Sequence, residues 1–477
     1  MISKLTVQLL TFNGAKYIGP LFGSLKNQTY LDWELVILDN NSSDDTLTKI
    51  KKELSDFKIK YQLIEGKNNL GFAGGHNFLF SQTAHRPYTV LLNQDMYLEK
   101  DCLEKLVAFM DEQPAAGAAS AKLLKWDFAN LEFTTQIDSL GLRIFRNRRI
   151  VDLVKIEAVN GESDTRALAV FGVSGALPIY RQTALEKVKF ADGNIFDESY
   201  FMYKEDVDLA WRLQSAGFGA FIVPSAIAYH DRTASGPREL NDSSARVNKK
   251  TQSDFVQFYS YKNHLATLIK NERLADFLRD APFILFYELK KIVWYLFCNP
   301  KVLRGLSILF SKQVWQKRLS PKSAIAEIGD IGEIRRWWMK NQIYDYSAGA
   351  IVFSPDKKSV LLIHQKHGDF IGFPKGHLNK NESAIDAARR ECLEEAGVNI
   401  EILSSAPIGR MFYSFVLHNI FWHKQVDFFV GLAKDMSITS DQGEVVEAKF
   451  VPIKEALRIL THEEAKQILC STFPLFL

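Results

Sequence analysis

The chain has few features that would place it in a specialised class of protein. Its cysteines are few and far apart and fit neither a metal-ligand spacing nor a disulfide framework, so we expect a reducing, cytoplasmic compartment. The formal net charge of +3 is nearly neutral for 477 residues and does not indicate nucleic-acid binding. The start, MISKLTVQLLTF, lacks the charged region and long apolar core of a secretion signal. The four cysteines are Cys102, Cys298, Cys392 and Cys470.

The length and the order of patterns predict an α/β protein of two or three domains. Strand patterns LTVQLLTF, WELVILDN, IKYQLIE and YTVLLNQD alternate with helical patterns near 15–28, after Ser43 and near 73–84. Strands that alternate with helices of this length form parallel βαβ units. The N-terminal part is therefore predicted to be a Rossmann-like domain.

Polar residues follow three of these strands: Asn13 follows the first, 39–41 the second and 93–95 the fourth. In such sheets ligands bind beyond the carboxyl ends of the strands, which favours a binding edge here. Asn, Asp and Ser also favour turns and helix caps, so each cluster taken alone is equally consistent with a structural role.

The stretch 280–312 is rich in aromatic and aliphatic residues and is interrupted by Lys290, Lys291, Lys301 and Arg304. None of its uncharged runs approaches the roughly 20 residues that a membrane span needs. Two interpretations remain open: amphipathic helices on an anionic membrane surface, or a helical pair that packs on the preceding domain. A connector with a short helix near 331–340 follows.

A second α/β pattern begins with YSAGAIVFS and SVLLIHQ and leads into an acidic stretch. In a helix there, Glu391, Glu394 and Glu395 would share one face. Such close carboxylates repel each other unless a cation lies between them, and Mg²⁺ and Mn²⁺ prefer carboxylate oxygen. The alternative is a solvated face on which the glutamates pair with Arg389 and Arg390. Later patterns predict strands at 411–417 and 426–432 and a helix at 454–460.

The surrounding spacing favours the metal site. The stretch GHLNKNESAIDAARRECLEEAGV at 376–398 resembles the Nudix hydrolase signature at every fixed position, with Cys392 in place of an aliphatic residue. The resemblance implies that metals held by Glu391, Glu394 and Glu395 activate water for attack on a diphosphate linkage. Glu394 and Glu395 would be catalytic. Arg390 would orient the glutamates, Glu382 would support the site from the loop, and Gly376 and Gly397 would permit turns.

The upstream GFPKGH is similar to the form found in asymmetrical diadenosine tetraphosphate hydrolases. This resemblance implies that Lys375 and Lys424 bind the substrate and that Glu444 or Glu447 is a base. Lysine and glutamate are common surface residues, so a solvated role is the alternative for each.

Several N-terminal motifs in a fixed order resemble a family 2 glycosyltransferase with the GT-A fold, most closely the rhamnosyltransferase-like branch. They are LLTFNG, DNNSSDDT, NLGFAGGHN, LLNQD, SGALPIYR and YKEDVDLAWRL. The resemblance covers roughly residues 4 to 270. It implies that Asp39 contacts the nucleoside and that a loop over 69–77 lets backbone approach the nucleotide sugar. The implied cofactor-binding residues are Asn13, Asp39, Asn69, Gly71, Gly74 and Asn77, with Gly75 in the same loop.

The same resemblance places a divalent metal at Asp95, completed by His230. The family's motif often has two acidic residues and this chain has one, and a lone histidine at a strand end is otherwise structural. Asp206 matches the catalytic base, and Glu205 would orient the acceptor or support that base. The alternative for Asp206 is a charge on a helix surface, like Asp208 with Arg212 four residues on.

The leading hypothesis is a bifunctional enzyme that uses Mg²⁺ or Mn²⁺ in both halves. An inverting transferase (1–270) would move a sugar such as rhamnose from a nucleotide-diphosphate sugar to a glycan or lipid-linked acceptor. An amphipathic linker (271–343) and a Nudix domain of α/β/α fold (344–477), which hydrolyses a nucleoside polyphosphate, would follow. The alternatives are a Nudix module that senses a nucleotide without hydrolysis, and a membrane-associated scaffold. We expect a cytoplasmic protein with peripheral contact at the inner face of the membrane.

Overall fold

The computed structural model divides into two compact units, one with the residues up to 339 and one with those from 341 onward. Each is described by itself below. The residues described are 3–83, 86–130, 132–154, 166–232, 252–319, 333–339, 341–366, 370–379, 382–418, 420–439 and 445–472.

Unit 1 is built on a ten-stranded mixed sheet. The first four strands, β1 to β4, are parallel and lie in the order β4-β1-β2-β3, as the alternating patterns predict. Beyond β4 the sheet continues with β11, β6, β12 and β10. The pair β6–β12 is parallel, and the other neighbouring pairs in this part of the sheet are antiparallel. The strands are β1 Leu5–Thr11, β2 Trp33–Asp39, β3 Tyr61–Glu65, β4 Tyr88–Asn93, β5 Met96–Leu98, β6 Ala116–Asp127, β7 Glu132–Ser139, β8 Leu142–Ile144, β9 Ile150–Asp152, β10 Leu168–Val170, β11 Pro178–Arg181 and β12 Gly219–His230.

The helices of unit 1 fall into two groups. The helices of the first group connect strands and bring the strand ends to one edge of the sheet. Two of them were predicted near 15–28 and 73–84, and their observed ends differ from those limits by two to three residues. The first group is α1 Ile18–Lys26, α2 Thr46–Leu54, α3 Gly71–Gln82, α4 Cys102–Glu112, α5 Gln182–Val188 and α6 Glu205–Ser215. The second group is α7 Asp254–Asn271, α8 Leu274–Cys298 and α9 Lys312–Leu319, with 3₁₀ helices at Glu198–Tyr200, Pro300–Phe310 and Glu333–Trp338.

Buried ion pairs attach the second group to the hairpin of β8 and β9, which forms a separate two-stranded sheet. Arg148, between β8 and β9, is fully buried and donates to both carboxylate oxygens of Glu272 at 2.7 Å and to Asp280 at 3.1 Å. The Trp338 ring lies 3.5 Å from its guanidinium carbon. Helix α8 and the residues around it therefore pack on the rest of unit 1. No helix in the described part of the chain is long and apolar enough to cross a membrane.

Unit 2 is a mixed sheet between two layers of helices. On one face Ala348 and Ala350 of β13 pack with Ala388 and Cys392 of α10. On the other face Ile351 packs with residues of α11 and α12, so the unit has the predicted α/β/α order. The elements are β13 Gln342–Phe353, β14 Ser359–Gln365, β15 Phe370–Gly372, β16 Lys375–His377, α10 Ala384–Ala396, β17 Ile400–Ile402, β18 Gly409–Leu417, β19 Ile420–Ala433, β20 Val445–Pro452, α11 Ile453–Ile459 and α12 Glu463–Thr472.

Candidate active sites

Asp39, the last residue of β2, is buried at the carboxyl edge of the unit 1 sheet. Thr11, at the end of β1, donates its hydroxyl to Asp39 Oδ1 at 3.1 Å. Ser42 donates its hydroxyl to Oδ1 at 2.6 Å and its backbone N–H to Oδ2 at 3.0 Å. These bonds fix the carboxylate where a ligand is expected in an α/β sheet. Its contact with a nucleoside stays a prediction.

Asparagine side chains join the loops at this edge. Asn13, with φ of 48°, accepts a backbone N–H from the loop after β2 at 2.8 Å. Asn40 donates to Asn69 Oδ1 at 2.9 Å and accepts the N–H of Leu70 at 2.8 Å. Asn69 Oδ1 also accepts the N–H of Gly71 at 2.8 Å. The strand end and the glycine-rich segment are thus held together by Asn40, which belongs to the polar cluster 39–41 that the sequence indicated.

Gly71 lies against the turn that precedes α6. The carbonyl oxygen of Phe201 accepts the N–H of Phe72 at 2.6 Å and of Ala73 at 3.1 Å. Gly71 has φ of +70°, and a Cβ atom there would lie 2.4 Å from the same carbonyl oxygen. Only glycine fits both conditions. The predicted donor loop therefore contacts the turn that leads to Asp206.

The expected loop over 69–77 is a helix from Gly71 onward, so Gly74, Gly75 and Asn77 lie in α3 and differ in their surroundings. A Cβ atom at Gly74 would lie 3.2 Å from Leu70, and one at Gly75 would lie 2.7 Å from Leu10. The amide group of Asn77 donates to the carbonyl of Phe196 at 2.9 Å and accepts its N–H at 2.9 Å. Asn77 thus fixes the segment before Glu198–Tyr200, and its contact with a nucleotide sugar stays a prediction.

Asp95 and His230 face each other, with 3.5 Å between Asp95 Oδ1 and His230 Nε2. The other ring nitrogen, Nδ1, lies 2.9 Å from Asp138 Oδ2. Burial opposes the charged imidazole, but the carboxylates of Asp95 and Asp138 outweigh it and raise the pKa of His230 to about 9. A histidine whose second nitrogen is held by a carboxylate is the usual arrangement of a metal-ligating imidazole. Asp138 was not identified from the sequence.

Arg232 connects this pair to the predicted base. Its guanidinium lies 2.9 Å from Asp152 and 3.8 Å from Asp138. Burial lowers the pKa of Arg232, but the charges of Asp152, Asp138 and Asp206 together raise it. Asp138 therefore contacts both His230 and Arg232, and the charge of Asp206 acts on the same arginine, which links the metal-binding candidates to the predicted base.

Asp206 lies in the first turn of α6, after two residues with positive φ, Tyr203 and Lys204. The N–H of Gly175 donates to Asp206 Oδ2 at 3.2 Å. Neighbouring Glu205 is buried, and its Oε2 has no hydrogen-bond partner among the described residues. Burial raises the pKa of Asp206, and burial together with the charge of Asp206 raises that of Glu205 well above its usual range. Raised carboxylate pKa values are a common property of proton-transfer sites.

Asp208 has a different environment. It is buried and pairs with Arg212 and Lys270, each at 3.0 Å, and accepts from Asn271 at 2.8 Å. The expected pair of Asp208 with Arg212 is present, but it lies in the core and not on a solvated surface. Asp208 therefore stabilises the packing of α6 on α7, whereas Asp206 is only partly buried.

In unit 2, Arg390 binds the glutamates of α10. Its Nη1 donates to Glu391 at 2.6 Å and to Glu394 at 2.8 Å, so oxygens of both carboxylates converge on one cationic nitrogen. Its remaining nitrogens donate to Glu382 at 2.8 and 3.0 Å and to the carbonyl of His377 at 2.7 Å. This network matches the predicted roles of Arg390 and Glu382, which stay predictions.

Gly376 and Gly397 leave room that a side chain would fill. A Cβ atom at Gly376 would lie 2.0 Å from the carboxyl group of Glu391. Gly397 ends α10 with φ of +69°, and a Cβ atom there would lie 2.0 Å from the Thr439 hydroxyl oxygen. Glycine at 376 therefore lets the Glu391 carboxylate approach the backbone of β16.

Glu395 lies beside the strand that carries Lys375. It accepts the backbone N–H of Lys375 at 2.8 Å and the amide of Gln365 at 3.0 Å. Burial and the nearby Lys424 lower the pKa of the Lys375 side chain. Of the predicted bases, Glu447 is exposed and pairs with Lys449 at 2.9 Å, whereas Glu444 lies outside the described residues.

Buried Asp345 organises a basic cluster next to these glutamates. His377 Nδ1 lies 3.0 Å from Asp345 Oδ1, and Lys424 Nζ lies 3.4 Å from Oδ2. Burial raises the pKa of Asp345, but the hydrogen bond with His377 and the charge of Lys424 outweigh it. Asp345 and His377 were not singled out from the sequence, because they are distant from Lys424 along the chain.

The carboxylate and imidazole groups at both places suit a hard divalent cation. Within the described ranges, no group of three or more His, Cys, Asp or Glu side chains is positioned to hold one metal ion. The complete ligand sets, Asp95 with His230 and Glu391 with Glu394 and Glu395, stay predictions.

Comparison with known proteins assigns each unit. Residues 6–151 match the family model of "Glycosyl transferase family 2", and residues 344–471 match that of the "NUDIX domain". The chain is 25% identical over 265 residues to an N-acetylglucosaminyl-diphospho-decaprenol L-rhamnosyltransferase of Mycobacterium tuberculosis, which covers 53% of this chain and 83% of that protein.

Two further relatives match over shorter stretches of the chain. Poly(ribitol-phosphate) beta-N-acetylglucosaminyltransferase TarS of Staphylococcus aureus is 30% identical over 111 residues, 23% of this chain and only 19% of TarS. The protein named MutT4 of Mycobacterium tuberculosis is 32% identical over 95 residues, 20% of this chain and 38% of that protein. Residues 6–151 of unit 1 thus form a domain that matches the family 2 glycosyltransferases, and residues 344–471 of unit 2 form a domain that matches the Nudix family.

Proposed function

We propose that unit 1 transfers a sugar with inversion from a nucleotide-diphosphate sugar to an acceptor hydroxyl, with its catalytic residues in 1–270. The observation that carries this proposal is the series of contacts from Asp95 through His230 to Asp138 and Arg232. The charge of Asp206 also acts on Arg232, so the predicted base lies close enough to this series to interact with it. A divalent cation held by Asp95 and His230 would neutralise the departing diphosphate.

In the proposed reaction the acceptor hydroxyl gives its proton to the carboxylate of Asp206. The acceptor oxygen forms a bond to the anomeric carbon as the bond from that carbon to the diphosphate oxygen breaks. The nucleoside diphosphate leaves with the electron pair of that bond. Glu205, buried behind Asp206, would favour proton uptake by the pair because two carboxylates this close do not both ionise readily.

We propose rhamnose, supplied as a dTDP-sugar, as the donor sugar and a lipid-linked glycan as the acceptor. The name of the mycobacterial relative, a rhamnosyltransferase that acts on a decaprenol-linked sugar, supports this choice. The test is a screen of nucleotide sugars with the full chain and Mn²⁺, which measures release of nucleoside diphosphate and the anomeric configuration of the product. Release of nucleoside diphosphate only from a donor with another sugar would reject rhamnose. A product that keeps the anomeric configuration of the donor would reject one-step attack.

For unit 2 (344–477) we propose hydrolysis of a nucleoside polyphosphate. The supporting observation is the convergence of Glu391 and Glu394 oxygens on the single nitrogen Arg390 Nη1, next to the cations Lys375 and Lys424. Water would form a bond to phosphorus while the bridging P–O bond breaks. Metals bound by the glutamates would activate that water.

Incubation of the full chain with Mg²⁺ and dinucleoside polyphosphates tests this second activity. Hydrolysis that disappears in the double variant Glu394→Gln/Glu395→Gln supports it. Tight nucleotide binding without turnover would instead identify unit 2 as a sensor.

A further inference from the structure

Helix α8 turns its acidic residues and Lys291 inward. Its buried residues recur every three or four positions and include Asp276, Asp280 and Lys291. Asp280 pairs with Arg146 at 2.8 Å and with Arg148 at 3.1 Å. The inner face of α8 is therefore held to unit 1 largely by ion pairs and hydrogen bonds, which is unusual for a packed helix.

The opposite face of α8 is apolar and exposed. Phe297 is 82% exposed, Phe286 70%, and Leu274 and Leu278 64% each. The spacing of these residues along the helix places them on one broad strip, about 35 Å long for a helix of this length. This outer face consists of Leu274, Leu278, Pro282, Phe283, Leu285, Phe286, Leu289, Val293, Leu296 and Phe297. A contiguous apolar strip of this size marks an interaction surface.

The charges around the outer face are mainly basic, although Lys301 lies 3.5 Å from exposed Asp254 and Arg273 lies 3.8 Å from Asp276. Every acidic residue of 273–319, a stretch that the structure describes in full, belongs to the inner face of α8: Asp276, Asp280 and Glu288. Exposed cations precede, border and follow the apolar strip, namely Arg273, Arg279, Lys301, Arg304 and Lys312. A second aromatic pair, Phe310 at 87% and Trp315 at 45%, is exposed in the following segments.

We propose that the outer face of α8 docks on the surface of an anionic lipid bilayer. Apolar side chains would enter the acyl boundary, and the neighbouring cations would meet the lipid phosphates, which is the chemistry of interfacial helices. A second copy of the chain fits less well, because a face-to-face pair would bring cations against cations. The absence of a spanning helix in the described residues agrees with binding on, and not through, the bilayer.

The proposal goes beyond the sugar transfer and is independent of it, since lipid binding is measured without donor or acceptor. The helices pack on the catalytic unit through one face and leave the other for the membrane.

Flotation of the full chain with vesicles tests the docking. Vesicles of phosphatidylcholine mixed with phosphatidylglycerol should carry the protein at low salt, and vesicles of phosphatidylcholine alone should carry much less. The variant Leu278→Glu/Leu289→Glu, at positions 64% and 59% exposed, should lose at least about tenfold in vesicle partition. Equal partition of this variant and the parent would overturn the proposal.

Two controls separate docking from misfolding and self-association. Leu31→Glu changes a residue that is 72% exposed outside α8 and should leave partition unchanged. Thermal unfolding of each variant should match the parent, because the substituted side chains are exposed. Sedimentation could instead show that the parent is a dimer and the double variant a monomer, while the parent does not bind vesicles. That result would assign the face to a second copy of the chain and reject the lipid.

Cys298, exposed at the end of α8, provides a direct reporter. With Cys470 replaced by Ser, an environment-sensitive dye reacts with Cys298, since Cys102 and Cys392 are buried. Emission should shift to the blue on addition of anionic vesicles. An unchanged spectrum while the protein floats with the vesicles would place the contact elsewhere and reject this face.

Discussion

The imidazole Nδ1 of His230 lies 2.9 Å from Oδ2 of Asp138, which leaves Nε2 directed at Asp95. We predict that Asp138→Asn weakens Mn²⁺ binding about 10- to 100-fold, because the carboxylate that fixes the ring is lost. A Mn²⁺ titration of the full chain measures this. Asp127→Asn is the control and should bind Mn²⁺ like the parent, because Asp127 lies on the neighbouring strand β6 and its carboxylate accepts from the nearby Asn130 and not from His230.

Asp206→Asn should lower the rate of sugar transfer about 10²- to 10⁴-fold and leave donor binding nearly unchanged, because the amide cannot accept the acceptor proton. Steady-state transfer and calorimetric titration with the nucleotide measure the two effects. Asp208→Asn should instead affect stability. It removes a buried partner of Arg212 and Lys270, so it should lower the free energy of unfolding by about 3 kcal/mol or more. A stable Asp206→Asn enzyme with parental turnover would show that another group is the base.

In unit 2, Arg390→Lys should reduce metal-dependent hydrolysis about 10- to 100-fold. Lysine keeps the charge but cannot bind Glu382, Glu391 and Glu394 together. The matched control is Arg389→Lys, since Arg389 is exposed and contacts Asp386 at 3.2 Å. Equal loss in both variants would argue against a specific role of Arg390.

Gly71→Ala should destabilise unit 1 by about 1–3 kcal/mol, because alanine is strained at φ of +70° and its Cβ would lie 2.4 Å from the Phe201 carbonyl oxygen. Urea unfolding measures the change. Gly193→Ala measures the cost of the strained backbone alone, because Gly193 has φ of +85° and nothing lies within 4 Å of the added Cβ. A Gly71 variant no less stable than the Gly193 variant would contradict the importance of the Phe201 contact.

The stability of unit 1 should fall in acid because of His76. Burial lowers the pKa of this histidine from its usual 6.5 to about 3, so the unfolded chain binds more protons between these values. The free energy of unfolding should therefore drop as the pH falls below about 6.5, by about 2 kcal/mol at pH 5. His76→Gln should flatten this slope in urea titrations between pH 7 and 5, although His264, with a pKa lowered to about 4, keeps part of it.

The sequence was sufficient for much of the fold, because local periodicity controls it. The strands that end at Thr11, Asp39 and Asn93 and the helix with Glu391 and Glu395 lie where their patterns predict. The helix Glu463–Thr472 was not predicted. The supports of the sites were missed because they come from distant parts of the chain: Asp138 is 92 residues from His230, and Asp345 is 32 from His377.

Helix α8 shows a second reason why sequence patterns are insufficient. Its period was visible, but pattern reading assumes that the apolar face is the buried one. In the structure the ion pairs of Asp280 and Glu288 form the inner face instead. Only tertiary contacts reveal which face a helix buries.

The buried Arg148 limits where the chain can be cut. A fragment that stops at residue 270 retains the predicted catalytic residues but removes Glu272 and Asp280, and leaves the guanidinium in the interior without a counter-charge. Further along, Lys317 lies 3.0 Å from buried Asp197. Anyone who expresses the transferase alone should therefore place its end beyond α9, even though no proposed catalytic residue lies there.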